Sequence, residues 1–169
     1  AYSELGRQIA KNGPVTFVSY SESGMRNLLS RPFLGIEAIT SDLDDVIRFC
    51  LKNSKALCGK PEPDIYLAGV SAGGGASAAV SGRYPQIKKL LLISYSPEYR
   101  VDFIEKALSL YDGELYAFHC KDDPVIPYSF SQELEYIASR AKSISINISD
   151  TGGHGENITE DLYLSSLFS

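Results

Sequence analysis

A serine hydroxyl is a poor nucleophile until a base takes its proton and a third group holds that base in orientation. One serine in this chain stands in a local sequence suited to that task. Ser71 is the centre of Gly69-Val70-Ser71-Ala72-Gly73. The pentapeptide follows an apolar run read as a strand (residues 64–70) and opens a run of small residues read as a helix (residues 73–84). A strand-to-helix turn this tight strains the backbone of its central residue and pushes that side chain out above the sheet. Its neighbours two positions away must be small, which Gly69 and Gly73 satisfy. The Ala72 N–H, at the start of the helix, then faces the place where an oxyanion would form. A competing reading is a phosphate-binding turn, given Gly73-Gly74-Gly75, but G-x-G-x-x-G is absent and no Walker lysine follows.

The base is quickly sought, because the chain has only two histidines. His154 lies in Asp150-Thr151-Gly152-Gly153-His154-Gly155, after the last strand, and those glycines suit a side chain that must reach across the sheet. His154 is the expected base. His119 ends the preceding strand, where packing is the expected task. The base also needs a carboxylate to fix its tautomer. Asp122 and Asp123 both follow His119 in His119-Cys120-Lys121-Asp122-Asp123-Pro124-Val125-Ile126-Pro127. Glu98 and Asp102, after an earlier strand, are an alternative position for the acid. Tyr95, Tyr99 and Tyr128 lie near the same loops and either line the mouth of the site or are ordinary surface aromatics.

The elements that must position these residues alternate. Residues 2–11 read as a helix stopped by Asn12-Gly13-Pro14, and residues 15–20 (VTFVSY) as a strand. Residues 41–53 read as a helix with Ser41 as its N-cap and Leu43, Val46, Ile47 and Cys50 at helical spacing. Strands are expected at 64–70, 89–94, 114–119 and 143–149, with helices at 73–84, 100–110, 128–141 and 156–168. In the last strand Ile144, Ile146 and Ile148 alternate with polar residues, which suits a sheet edge with one face less covered. Five strands alternating with helices predict an α/β fold, a mostly parallel sheet flanked by helices, in a single domain over residues 1–169. Functional loops should then lie at the carboxyl ends of the strands, where both Ser71 and His154 fall.

Composition narrows the partners. With 169 residues the chain can bury a full core. Its net charge of −5, with no basic run, argues against nucleic acid and against an anionic membrane surface. No stretch reaches the roughly 18 apolar residues of a membrane span. The N-terminal residues lack the pattern of a signal peptide, and the three cysteines (Cys50, Cys58, Cys120) form no CxxC pair. Free thiols in the cytoplasm are the expectation, with a Cys50–Cys58 bridge as the alternative in a secreted protein. Two glycosylation sequons, at Asn147 and Asn157, read as chance matches.

Taken together, these segments resemble the α/β-hydrolase superfamily over about residues 2–168. GVSAGG resembles the nucleophile elbow, HCKDDPVIP the acid loop and GGHG the histidine loop. The resemblance selects Asp123 over Asp122, since the family's acid stands four positions after the loop's histidine and four before its final proline. It implies a serine hydrolase acting on carboxylic esters, with Ser71, Asp123 and His154 as triad and the Ala72 N–H as an oxyanion donor. No cofactor or metal is implied. A peptidase, a thioesterase and a non-catalytic binding module remain alternatives. Only about 19 residues (95–113) join the strands at 89–94 and 114–119, room for one helix and not for a cap domain. An open site suits short acyl esters or esters displayed on a carrier. In this superfamily a strand and a glycine-rich loop precede the first helix. That strand lies between those matching residues 15–20 and 64–70, and its loop supplies a second oxyanion donor. The expectation is that the sequence is a piece of a longer protein. The alternatives are a strand supplied by another chain and a reduced fold.

Overall fold

A computed structural model of the protein describes residues 2–16, 18, 32–97, 101–155 and 160–168. Among them, four strands form one parallel sheet in chain order: β1 (Ile65–Val70), β2 (Ile87–Ile93), β3 (Glu114–Cys120) and β4 (Ser143–Ser149). The helices are α1 (Tyr2–Ile9), α2 (Pro32–Lys52), α3 (Ser54–Cys58), α4 (Ala72–Ser81), α5 (Val101–Leu108), α6 (Ser129–Ile137) and α7 (Glu160–Leu167). A short 3-10 turn at Ala10–Asn12 continues α1.

Helices cover both faces, and the sequence of β2 reflects this. In β2, Leu90 and Leu92 join the larger core while Leu91 and Ile93 join the smaller one. An unbroken apolar run is what a strand covered on both faces requires. The larger core takes Ile36, Ile39, Leu43 and Ile47 from α2, the alanines of α4, Ile104 and Leu108 from α5, and Leu134 from α6. The smaller core takes Ile9 from α1, and Tyr163 and Leu167 from α7. In β4, Ile144 and Ile146 pack against the larger core, while Ser145 and Asn147 line a cleft with Leu162 and Ser165 of α7. The expected alternation of β4 is therefore present.

Helix α4 carries Ser71 at its N-terminus and lies close to the chain that leaves β2. At Gly75, a Cβ would collide with the Ser96 carbonyl oxygen, so the helix can settle there only without a side chain.

Several expected elements differ. The helix expected at 41–53 begins at Pro32, so Ser41 is an interior residue and not an N-cap. The apolar stripe of Ile36, Ile39, Leu43 and Ile47 keeps one helical face buried through that whole length. Val15, Thr16 and Val18 are in no strand, while residues 17, 19 and 20 lie outside the described residues. Of the last expected helix, 160–167 is helical, and 156–159 with the Asn157 sequon lie outside the described residues. Asn147 lies in β4. All three cysteines are free, which removes the Cys50–Cys58 bridge. No helix among the described residues is long and apolar enough to cross a membrane.

Candidate active site

The carboxyl ends of the strands form a stepped row: β1 and β2 stop together, with Val70 opposite Ile93 and Ile93 opposite Phe118, and β3 and β4 run two residues further to the Cys120–Ser149 pair. Ser71, Asp123 and His154 all follow just beyond that row, on the loops after β1, β3 and β4.

Ser71 has φ 56° and ψ −124°, a left-handed conformation outside the wells open to an ordinary side chain. Such strain costs about 1–3 kcal/mol and persists only where the surroundings over-determine it. Here the Ser71 N–H donates to the Ile93 carbonyl at 2.9 Å, and its own carbonyl accepts from the Gly74 N–H at 2.9 Å and the Gly75 N–H at 3.2 Å. A Cβ on Gly69 would lie inside contact distance of the Gly73 carbonyl oxygen, so the turn closes only with glycine at 69. Ala72 is the first residue of α4, and its N–H has no carbonyl one turn earlier in the helix to bond.

His154 Nε2 lies 2.9 Å from Ser71 Oγ. Its Nδ1 lies 3.0 Å and 2.9 Å from the two carboxylate oxygens of Asp123. A carboxylate only accepts, so Nδ1 carries the proton and Nε2 offers its lone pair to the serine hydroxyl. The Asp123 side chain is wholly buried and that of His154 is 23% exposed. Asp123 Oδ1 also accepts from the Val125 N–H at 2.8 Å and the Ile126 N–H at 2.9 Å. Burial pushes the Asp123 carboxyl up, but the Ile126 N–H, His154 and the Val125 N–H together outweigh it, and the net shift is below the usual range. Asp123 is therefore a carboxylate at neutral pH.

Two neighbours have more to do than their sequence suggested. Asp122, passed over as the acid, binds the histidine loop: its oxygens accept the N–H groups of Gly152 at 3.2 Å and Gly153 at 2.9 Å, clamping the loop that carries His154. At the same junction the Lys121 N–H donates to the Ser149 carbonyl at 2.9 Å, while its side chain makes an exposed ion pair with Asp150 at 2.7 Å. His119 is fully buried and points at Asp123, with Nε2 at 3.1 Å from Oδ2. Burial lowers the His119 pKa against the opposing pull of the Ile126 carbonyl and Asp123. The contact is a hydrogen bond from a neutral imidazole and not an ion pair.

The other candidates fall elsewhere. Tyr95 is wholly buried, with no partner for its hydroxyl among the described residues, so it packs in the core and does not line a mouth. Burial drives its pKa far upward. Asp102 sits exposed in the first turn of α5, and Glu98 and Tyr99 lie outside the described residues. Tyr128 precedes α6 and is half-buried. No described residue is assigned as the second oxyanion donor. No group of three His, Cys, Asp or Glu among the described residues is arranged to hold a metal ion.

No family profile and no curated protein matches the sequence. Solved structures do match. The chain is similar to the esterase domain of a Rhodothermus marinus protein, at 19% identity and a TM-score of 0.54, covering 72% of this chain and 63% of that domain. It is similar to a truncated carbohydrate esterase from gut microbiota, at 16% identity and a TM-score of 0.58, covering 78% of this chain and 69% of that one. A Pyrococcus horikoshii acylaminoacyl peptidase matches at 14% identity and a TM-score of 0.57, covering 70% of this chain but 24% of the peptidase. This chain thus spans less than two thirds of the Rhodothermus domain. At these identities the likeness defines the fold. It is that of the α/β hydrolases, a parallel sheet flanked by helices.

Proposed function

We propose that the chain is a serine hydrolase that cleaves carboxylic esters through an acyl-enzyme. Ser71 Oγ attacks the ester carbonyl while His154 Nε2 takes its proton. Asp123 keeps the His154 proton on Nδ1 and stabilises the imidazolium that forms. The Ala72 N–H stabilises the tetrahedral oxyanion. His154 protonates the departing alcohol, and water attacks the acyl-Ser71 ester by the same route, releasing the acid. The observation that carries this reading is the line from Ser71 Oγ through His154 to Asp123, with each link near 2.9 Å. A small or carrier-displayed ester is the substrate class. One helix, α5, is the element described between β2 and β3.

The test is the intact mass after exposure to a fluorophosphonate, with the adduct mapped by peptide sequencing. One adduct on Ser71, lost in His154→Ala, is expected. No adduct on a folded protein overturns the reading. Hydrolysis of a short activated ester, abolished by Ser71→Ala, then identifies the esterase. Peptide amides or thioesters cleaved as fast as the matching ester would instead assign a peptidase or a thioesterase.

A further inference from the structure

Asp123 Oδ1 is held by two backbone N–H groups, but Oδ2 faces the interior of the protein. Beyond its contact with His154, the group that meets Oδ2 is His119 Nε2. The partners of His119 decide which of its nitrogens carries hydrogen. Nε2 lies 3.1 Å from the Asp123 carboxylate and 3.0 Å from the Ile126 carbonyl, and both of these only accept. Nε2 is therefore the donor. Nδ1 is then a bare acceptor, and the Ser131 hydroxyl, 2.7 Å away on α6, donates to it. Ser131 is as deeply buried as His119. Ile126 closes the arrangement, since its N–H binds Oδ1 while its carbonyl shares the His119 proton.

We propose that Ser131 and His119 form a buried positioning arm that aims the Asp123 carboxylate at His154. It rests on the triad reading above and extends it by two residues. The arm does not touch substrate. Ser131 keeps the His119 proton on Nε2. His119 holds Oδ2 and so prevents the carboxylate from turning about its own axis. His154 then finds both oxygens in one fixed plane. A neutral donor suits this place, because a positive charge beside Asp123 would compete with the imidazolium that forms on His154 during the reaction.

The test compares three variants by the rate of fluorophosphonate labelling of Ser71, corrected for active-site content, and by kcat and KM for an activated ester. His119→Leu fills the space without a donor and is expected to slow labelling and kcat about ten- to a hundredfold, the value of a hydrogen bond to a charged group. Its KM and its one-adduct stoichiometry should be unchanged. His119→Gln keeps an N–H near the Nε2 position and should restore the rate to within about threefold of the parent. Ser131→Ala, the mildest change, should slow kcat about threefold to tenfold at constant KM. Parent-like labelling of a folded His119→Leu overturns the arm, as does a His119→Gln no faster than His119→Leu. If His119→Leu does not fold, Ser131→Ala at the parent's rate overturns it. A parent protein unlabelled at Ser71 defeats the triad reading itself, a result distinct from these.

Discussion

Ser71 and Asp123 stand on either side of His154, and the chain holds them by different means. Ser71 is fixed by its backbone: a left-handed residue, a glycine at 69 with no room for a methyl group, and backbone bonds to its own N–H and carbonyl. Asp123 and His154 lie on loops and are fixed by donors and acceptors. Asp123 takes two backbone N–H groups and an imidazole N–H, and Asp122 ties down the glycines before His154. Steric confinement is nearly all-or-none, because a clash with backbone has nowhere to relax. Hydrogen-bond confinement weakens by degrees, one donor at a time. It is also the half of the site that protons can disturb.

The largest effect should come from the polar half. Asp123→Asn presents an amide to Nδ1, favours the wrong tautomer, and should lower kcat about ten-thousandfold in a protein that still folds. A loss under tenfold in ester hydrolysis would mean that His154 is oriented by something else. On the steric side, Gly69→Ala should cost about 3 kcal/mol in urea unfolding, the upper end for overpacking. An unchanged urea midpoint would show that the elbow can open, and the contrast between the two halves would fail.

Acid offers a milder probe. His119 is held below its ordinary pKa of 6.5 by burial, so the unfolded chain binds a proton more readily than the folded one. Stability should therefore fall as pH drops below about 6.5, and level off once the folded His119 also titrates. The groups facing it are Asp123 and His154. Asp123, with its lowered pKa, contributes stability that is present above its ordinary value and lost only at more acid pH. Urea midpoints across that range should flatten near neutrality in His119→Gln. A slope identical to the parent's would assign the effect to another group.

Smaller still, Asp122→Ala frees two backbone N–H groups at the surface and should reduce kcat about threefold to tenfold, with Asp122→Asn between it and the parent. Lys121→Met removes an exposed ion pair and should change neither rate nor stability measurably.

The same contrast explains what could be read from the sequence. The elbow is legible because sterics restrict it to a few residue types in a fixed order: Gly69, Ser71 and Gly73 announce the turn, and an apolar run announces the buried strand before it. His154 is legible because there are only two histidines and its loop is rich in glycine. The polar scaffolding is not legible. Asp122 acts on backbone N–H groups 30 and 31 residues away, and backbone carries no signature in sequence. His119 and Asp123 are four apart but span a strand end and a turn, where no helical period would bring them together. Helix α2 was traceable further than Ser41: Ile36 and Ile39 already continue the stripe of Leu43 and Ile47. Residues 15–20 have the composition of a strand, but a strand is made by its neighbour, and Val15, Thr16 and Val18 pair with none of the described strands. Tyr95 follows a strand end like a surface aromatic, yet it is wholly buried, with its backbone close against Gly74 of α4, a packing that only the three-dimensional arrangement reveals.

The strands lie side by side in the order in which they are made. Ser71 follows the first and His154 follows the last of these four strands, 83 residues apart, and their hydrogen bond joins side chains far apart in the sequence. No two neighbouring strands can bring them together. β2, β3 and β4 must each be laid down before the loop after β4 can reach back over the sheet. Contacts of such long range form late, since the entropy of closing the intervening chain has to be met first. Reactivity at Ser71 should then appear as the last event of refolding, later than the bulk of the secondary structure. A labelling reagent added at intervals would serve as a clock for completion of the sheet.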